Sequence, residues 1–106
     1  MTPAEHAELS AQVARAIGWK YVATDINPPV YHVYVSNDAG ECGWFDYRNP
    51  SVALPLLEWL MREHGCHPMP LGSNFYIVGC AGNVITETAT LHEAIARAVI
   101  AVKEQA

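Results

Sequence analysis

Between Trp44 and Ser51 the chain reads Trp-Phe-Asp-Tyr-Arg-Asn-Pro-Ser, a run in which aromatic side chains lead past a cation into a proline-marked helix start. Each residue type there has a ligand chemistry. Trp44 and Tyr47 offer ring faces on which a nucleobase can stack, and Arg48 can fork onto a phosphate. Asn49 and Ser51 stand at a helix N-terminus, where free amides attract anions. Together these groups suit a nucleotide-sized anionic ligand. They also suit a purely structural role, with Trp44 and Tyr47 packed beneath the helix while Asn49 or Ser51 caps it. Lys20, Tyr21 and Tyr31 add a cation and two more rings, although nothing in the sequence places them beside Arg48. His32 follows Tyr31 in an alternating run, so it shares a strand face with Tyr34 and points away from Tyr31 and Val33. A half-buried packing histidine is the competing role for it.

Other reactive side chains form no recognisable machinery. The chain has no G-x-S-x-G, no phosphate-binding glycine loop, no H-E-x-x-H and no acidic pair at a catalytic spacing. The expectation is therefore a protein that is not an enzyme. A nucleotide hydrolase using His32, His64 or His92 as general acid or base is the outlying alternative. Cys80 lies among small apolar neighbours in Val78-Gly79-Cys80-Ala81-Gly82, which predicts a buried structural cysteine rather than a nucleophile. His64, Cys66 and His67, with Cys42 as a fourth ligand, match no common zinc spacing, so neither a metal nor a cofactor is expected.

Composition narrows the partners. With six Lys and Arg against eleven Asp and Glu, the formal net charge is -5, and no basic run occurs. Duplex DNA and RNA binders draw much of their affinity from cations facing phosphates, so that class is disfavoured. A few placed cations would still hold one small anion. Hydrophobic residues make up 51% and charged residues 16% of the chain, enough apolar material for a core without disulfides and a reason to expect homo-oligomers. Three cysteines with no C-x-x-C spacing and no leader-like segment suit a reducing cytosol. The apolar stretches Val52–Met61 and Ala94–Val102 are too short for a bilayer and carry Glu58 and Arg97, so no membrane partner is expected.

The elements that must position these residues follow from periodicity. Thr2-Pro3-Ala4-Glu5 is a capping box, and Leu9, Val13, Ala16 and Ile17 recur at helical spacing up to Gly18, predicting a helix over 3–17. Trp19–Ala23 reads as extended, and Asn27-Pro28-Pro29 as a break. Val30–Val35 and Glu41–Asp46, joined by Ser36-Asn37-Asp38-Ala39-Gly40, predict a hairpin. Val52–His64, closed by Gly65, predicts a helix buried on more than one side. Pro55 sets its start: either Ser51 caps it and Pro55 costs one hydrogen bond, or the regular helix begins near Leu54. His67–Gly72, with two prolines, reads as an irregular connector, and Asn74–Cys80 with Asn83–Thr88 as a second hairpin around Ala81-Gly82. Thr90-Leu91-His92-Glu93 opens a last helix whose stripe is Leu91, Ala94, Ile95, Ala98, Val99 and Val102. The order α-β-β-β-α-β-β-α predicts a single α+β domain over residues 1–106, a mostly antiparallel sheet of about five strands covered by three helices. No internal repeat is visible.

Three segments form a recognisable set: Arg15-Ala16-Ile17-Gly18-Trp19-Lys20, Trp44-Phe45-Asp46 followed by Asn49-Pro50-Ser51, and Thr90-Leu91-His92-Glu93-Ala94-Ile95-Ala96-Arg97-Ala98. In that order and at this length the chain resembles small bacteriophage and prophage proteins carrying the phage ABA-sandwich domain. Asn27–Pro29 and Pro55 depart from that pattern. The resemblance implies a helix-sheet-helix sandwich of phage origin, at work in the host bacterial cytoplasm, and no particular chemistry. Combined with the Trp44–Ser51 run, it frames one main expectation: a non-catalytic binding protein that sequesters a nucleotide immune signal, of cyclic oligonucleotide or cyclic ADP-ribose type, and so counteracts host defence. The alternative is an adaptor or inhibitor that meets a host or virion protein through an acidic or apolar face.

Overall fold

The computed structural model describes residues 2–27 and 30–104, so the expected break at Pro28-Pro29 lies outside the described residues. The chain divides into two compact units, one up to Tyr47 and one from Arg48 onward.

The first unit is α1 (Pro3–Ala16), β1 (Tyr21–Asn27), β2 (Val30–Ser36) and β3 (Cys42–Trp44). The expected capping box opens α1: the Glu5 amide donates to Thr2 Oγ1 at 3.2 Å and the Thr2 amide donates to Glu5 Oε1 at 3.1 Å. Accepting from the Thr2 backbone, and next from its hydroxyl, holds the Glu5 carboxyl below its ordinary range. The helix stops where Gly18 turns to φ +104, and the Trp19 amide reaches back to the Ala14 carbonyl at 3.1 Å. The strands form one antiparallel sheet in the order β1-β2-β3. Val33, Val35, Phe45 and Tyr47 from the strand side, with Ala7, Leu9, Val13 and Ala14 of α1, make its buried core. Ser10 is buried among them and accepts the Tyr47 amide on Oγ at 3.1 Å, so no polar cost is left open.

The second unit is α2 (Pro50–His64), β4 (His67–Leu71), β5 (Asn74–Val78), β6 (Val84–Thr88) and α3 (Leu91–Glu104). Its sheet is antiparallel in the order β4-β5-β6, with Ile77 of the middle strand fully buried. The α3 stripe is buried at Ala94, Ile95, Ala98, Val99 and Val102, with Ala96 added. The Thr86 hydroxyl donates to the Ala94 carbonyl at 3.0 Å, fixing that helix to its neighbouring strand.

Three sequence expectations need correction here. The described residues form six strands in two three-stranded sheets, not about five in one. The extra strand is His67–Leu71, expected as a connector because of its prolines. Pro68 and Pro70 are two apart on an edge strand, so both missing amides fall on the same, open side and the ladder to β5 loses nothing. The α2 helix begins at Pro50, capped by Asn49 rather than Ser51 and well before Leu54, so Pro55 sits inside the helix. Nor is α2 buried on several sides. Ala53, Leu56 and Leu60 are buried, whereas Leu54 and Met61 remain exposed.

Candidate ligand-binding surfaces

Strand alternation sorts the first sheet into two chemically different faces. Along β2, Val33 and Val35 are buried, whereas His32 and Tyr34, which alternate with them, are exposed. On β3, Trp44 lies directly across from Tyr34 and is 66% exposed. The Tyr34 and Trp44 rings meet edge to face with centroids 5.2 Å apart, and His32 is tilted against Trp44 at 5.1 Å. Such cross-strand aromatic contacts stabilise a sheet while leaving ring faces in water. Bonding to the Cys42 side chain, then the charge and burial there, pushes the Tyr34 phenol above its ordinary value. Asp25 pairs across from His32, and Tyr21 lies exposed on the same alternation of β1. The Tyr21 hydroxyl donates to Asp38 Oδ1 at 3.1 Å. Lys20 forms an ion pair with Asp38, and its ammonium lies 5.4 Å from the Tyr21 ring centroid. His32 is thus exposed, not half-buried, and its neighbour Trp44 holds it in a three-ring cluster.

The residues of the expected Trp44–Ser51 site divide between the two units, Trp44 and Tyr47 in the first and Arg48, Asn49 and Ser51 in the second. The chain leaves the first unit after Tyr47 and enters the second at Arg48. Tyr47 is 1% exposed, and its hydroxyl bonds to His6 Nδ1, so its ring has no face to offer a base. Parity explains the loss, because Tyr47 follows Phe45 into the α1-facing core while Trp44 points the other way. Asn49 spends its side chain as the α2 cap, accepting the Ser51 amide on Oδ1 at 3.0 Å. Ser51 is exposed. Arg48 borders a hollow of about 170 Å³ between the first turns of α2 and α3, lined also by Pro50, Ala53, Leu54, Leu91, His92 and Ile95. Tyr31 is half-buried on the opposite side of the first sheet from His32 and borders a separate groove beside α1.

Tyr34 was not among the expected site residues, although the alternation that placed His32 placed Tyr34 beside it. The missing signal was register. Pairing Ser36 with Cys42 across the turn puts Trp44 opposite Tyr34.

The cysteines also differ from expectation. Cys80 is exposed in the β5–β6 turn, and Cys66 is the buried one. Burial, with a smaller contribution from Cys80, pushes the Cys66 thiol up. Hairpin turns project their side chains into solvent, which outweighs the small apolar neighbours of Cys80. His64 packs its ring edge to face with Trp59 at 4.7 Å. Among the described residues no three His, Cys, Asp or Glu side chains converge as a metal site would require. Among them, too, no helix is long and apolar enough to cross a membrane.

No family model, no curated protein and no solved structure matches this chain, so its ligand chemistry is read from its own surfaces.

Proposed function

We propose that this chain is a non-catalytic binding protein that captures a small ligand bearing a planar ring, with a nucleotide as the ligand class. The observation that carries the reading is the His32–Tyr34–Trp44 cluster, three rings held together on an open sheet face with Trp44 66% exposed. Burying Trp44 in water-free contact would recover a large apolar area, and base stacking on an aromatic ring contributes about 1–3 kcal/mol per base. Capture needs no reacting group, only the ring face and the polar edge that His32, Tyr34 and Asp25 provide. In a protein of phage origin, which is what the ABA-sandwich resemblance implies, such a ligand would be a cyclic oligonucleotide or cyclic ADP-ribose defence signal, sequestered in the host cytoplasm by a homo-oligomer.

The test is uptake. Micromolar protein should remove one member of a panel of signalling nucleotides from solution and release it intact on heating. Trp44→Ala should weaken uptake by roughly tenfold to a hundredfold, the range that loss of one stack implies, with the fold unchanged because Trp44 is exposed. Recovery of cleaved nucleotide would establish the hydrolase alternative instead. Uptake that survives Trp44→Ala would remove the aromatic face from the reading.

A second reading is favoured by one specific observation. The aromatic face belongs to a unit in which Glu5, Glu8, Asp25, Asp38, Glu41 and Asp46 outnumber Arg15 and Lys20. An acidic surface with exposed Tyr21, Tyr34 and Trp44 also suits a basic protein partner, for which the chain would serve as adaptor or inhibitor.

A further inference from the structure

The other side of the first sheet, turned away from the aromatic cluster, carries a groove of about 330 Å³ where α1 lies against the strands. Ala4, Ala7 and Ala11 form one wall, and Thr24 and Tyr31 form the other. Glu8 and Arg15 stand on its rim. The helical residues fall on one face because their spacings follow the 3.6-residue period, which sets Glu8 and Arg15 about 10 Å apart along the axis.

Three polar groups around this apolar groove are unengaged. Lys20 pairs with Asp38, Arg62 with Glu58 and Glu63, and Arg97 with Glu93, while Lys103 lies over the Trp59 ring and Arg48 is also engaged. The Arg15 side chain has no ion pair, hydrogen bond or ring contact among the described residues, and the hydroxyls of Thr24 and Tyr31 have none either. An apolar slot of this size with a few convergent polar groups has the make-up of a small-ligand site.

We infer that this groove binds a small organic monocarboxylate with an aryl or alkyl body. The guanidinium of Arg15 takes the carboxylate in a two-pronged charge-assisted bond, for which its planar fork is suited and an ammonium is not. The body lies between the alanine methyls and the Tyr31 side chain, and Thr24 and Tyr31, which line the same groove as Arg15, supply hydroxyl donors. Glu8 on the same rim sets the charge, because a dianion such as a phosphate monoester meets a second negative group there. This site is independent of the nucleotide reading, since the two lie on opposite faces of one sheet.

The experiment is an NMR titration of the whole chain with phenylacetate and with hexanoate, using benzylamine and phenyl phosphate as charge controls. Saturable shifts at the amides of Ala7, Ala11 and Tyr31 are expected for the two carboxylates and not for the controls. Arg15→Ala should weaken carboxylate binding by at least roughly tenfold, as loss of a charge-assisted bidentate bond implies, and Arg15→Lys should not restore it. Glu8→Gln should admit phenyl phosphate. Trp44→Ala should leave carboxylate binding unchanged, which separates this site from the aromatic face. Unsaturable shifts with both carboxylates, equal binding of benzylamine, or undiminished binding in folded Arg15→Ala would each overturn the inference. Arg15 is exposed and unpaired, so its variants keep the fold, and circular dichroism checks that they do.

Discussion

Tyr47 and Trp44 are three positions apart and have opposite fates, which makes them a matched pair for testing what each ring does. Tyr47 fills the core and ties β3's exit to α1 through His6 and Ser10. Removing its hydroxyl in Tyr47→Phe deletes one partly buried hydrogen bond while keeping the packing. Stability should fall by about 1 kcal/mol in urea unfolding, the usual net worth of such a bond, with ligand uptake unaltered. Trp44→Ala should show the reverse, loss of uptake with little change in the unfolding midpoint. Residue identity was legible here, but its direction was not. Aromatic residues at positions 44 and 47 look equivalent until the strand's period and the buried partner at Ser10 divide them.

The start of α1 was legible because its cap is local, with hydrogen bonds between residues three apart. The Thr2–Glu5 box formed as expected, and it carries a pH dependence whose sign follows from its chemistry. The bonds favour the charged carboxyl, so its folded value lies below its unfolded one. The stabilisation is present above the unfolded value, near pH 4, and is lost as pH falls through the folded one. Wild type and Glu5→Gln should therefore differ in thermal midpoint at neutral pH and converge in acid. Pro55 is the contrary case. It lies within α2, exposed, where it deletes the bond to the Ser51 carbonyl. Replacing it in Pro55→Ala should raise stability by roughly 1–3 kcal/mol in denaturant unfolding. The β4 strand was illegible for a related reason. Proline argues against a strand until one knows that the strand lies at an edge and that both prolines face outward, and only pairing supplies that knowledge.

At the scale of the molecule, periodicity showed the elements but not their grouping. Each unit begins with a helix followed by three antiparallel strands, an order repeated without any visible repeat in sequence. Nothing local distinguishes five strands in one sheet from six in two, because sheet membership depends on long-range pairing. That grouping also divides the charge, and the division separates the two functional readings. The aromatic face belongs to the acidic unit, so a nucleotide stacked there is held by ring contact against an unfavourable field. Added salt screens that repulsion over a Debye length of about 10 Å at 0.1 M. Nucleotide affinity should stay constant or rise as salt increases from low to physiological levels. A basic protein partner is drawn by the same field, so its association rate and affinity should fall steeply over that range. Isothermal titration at two ionic strengths, with Trp44→Ala as the control for the face itself, therefore distinguishes capture of a planar anion from docking of a cationic partner on one and the same surface.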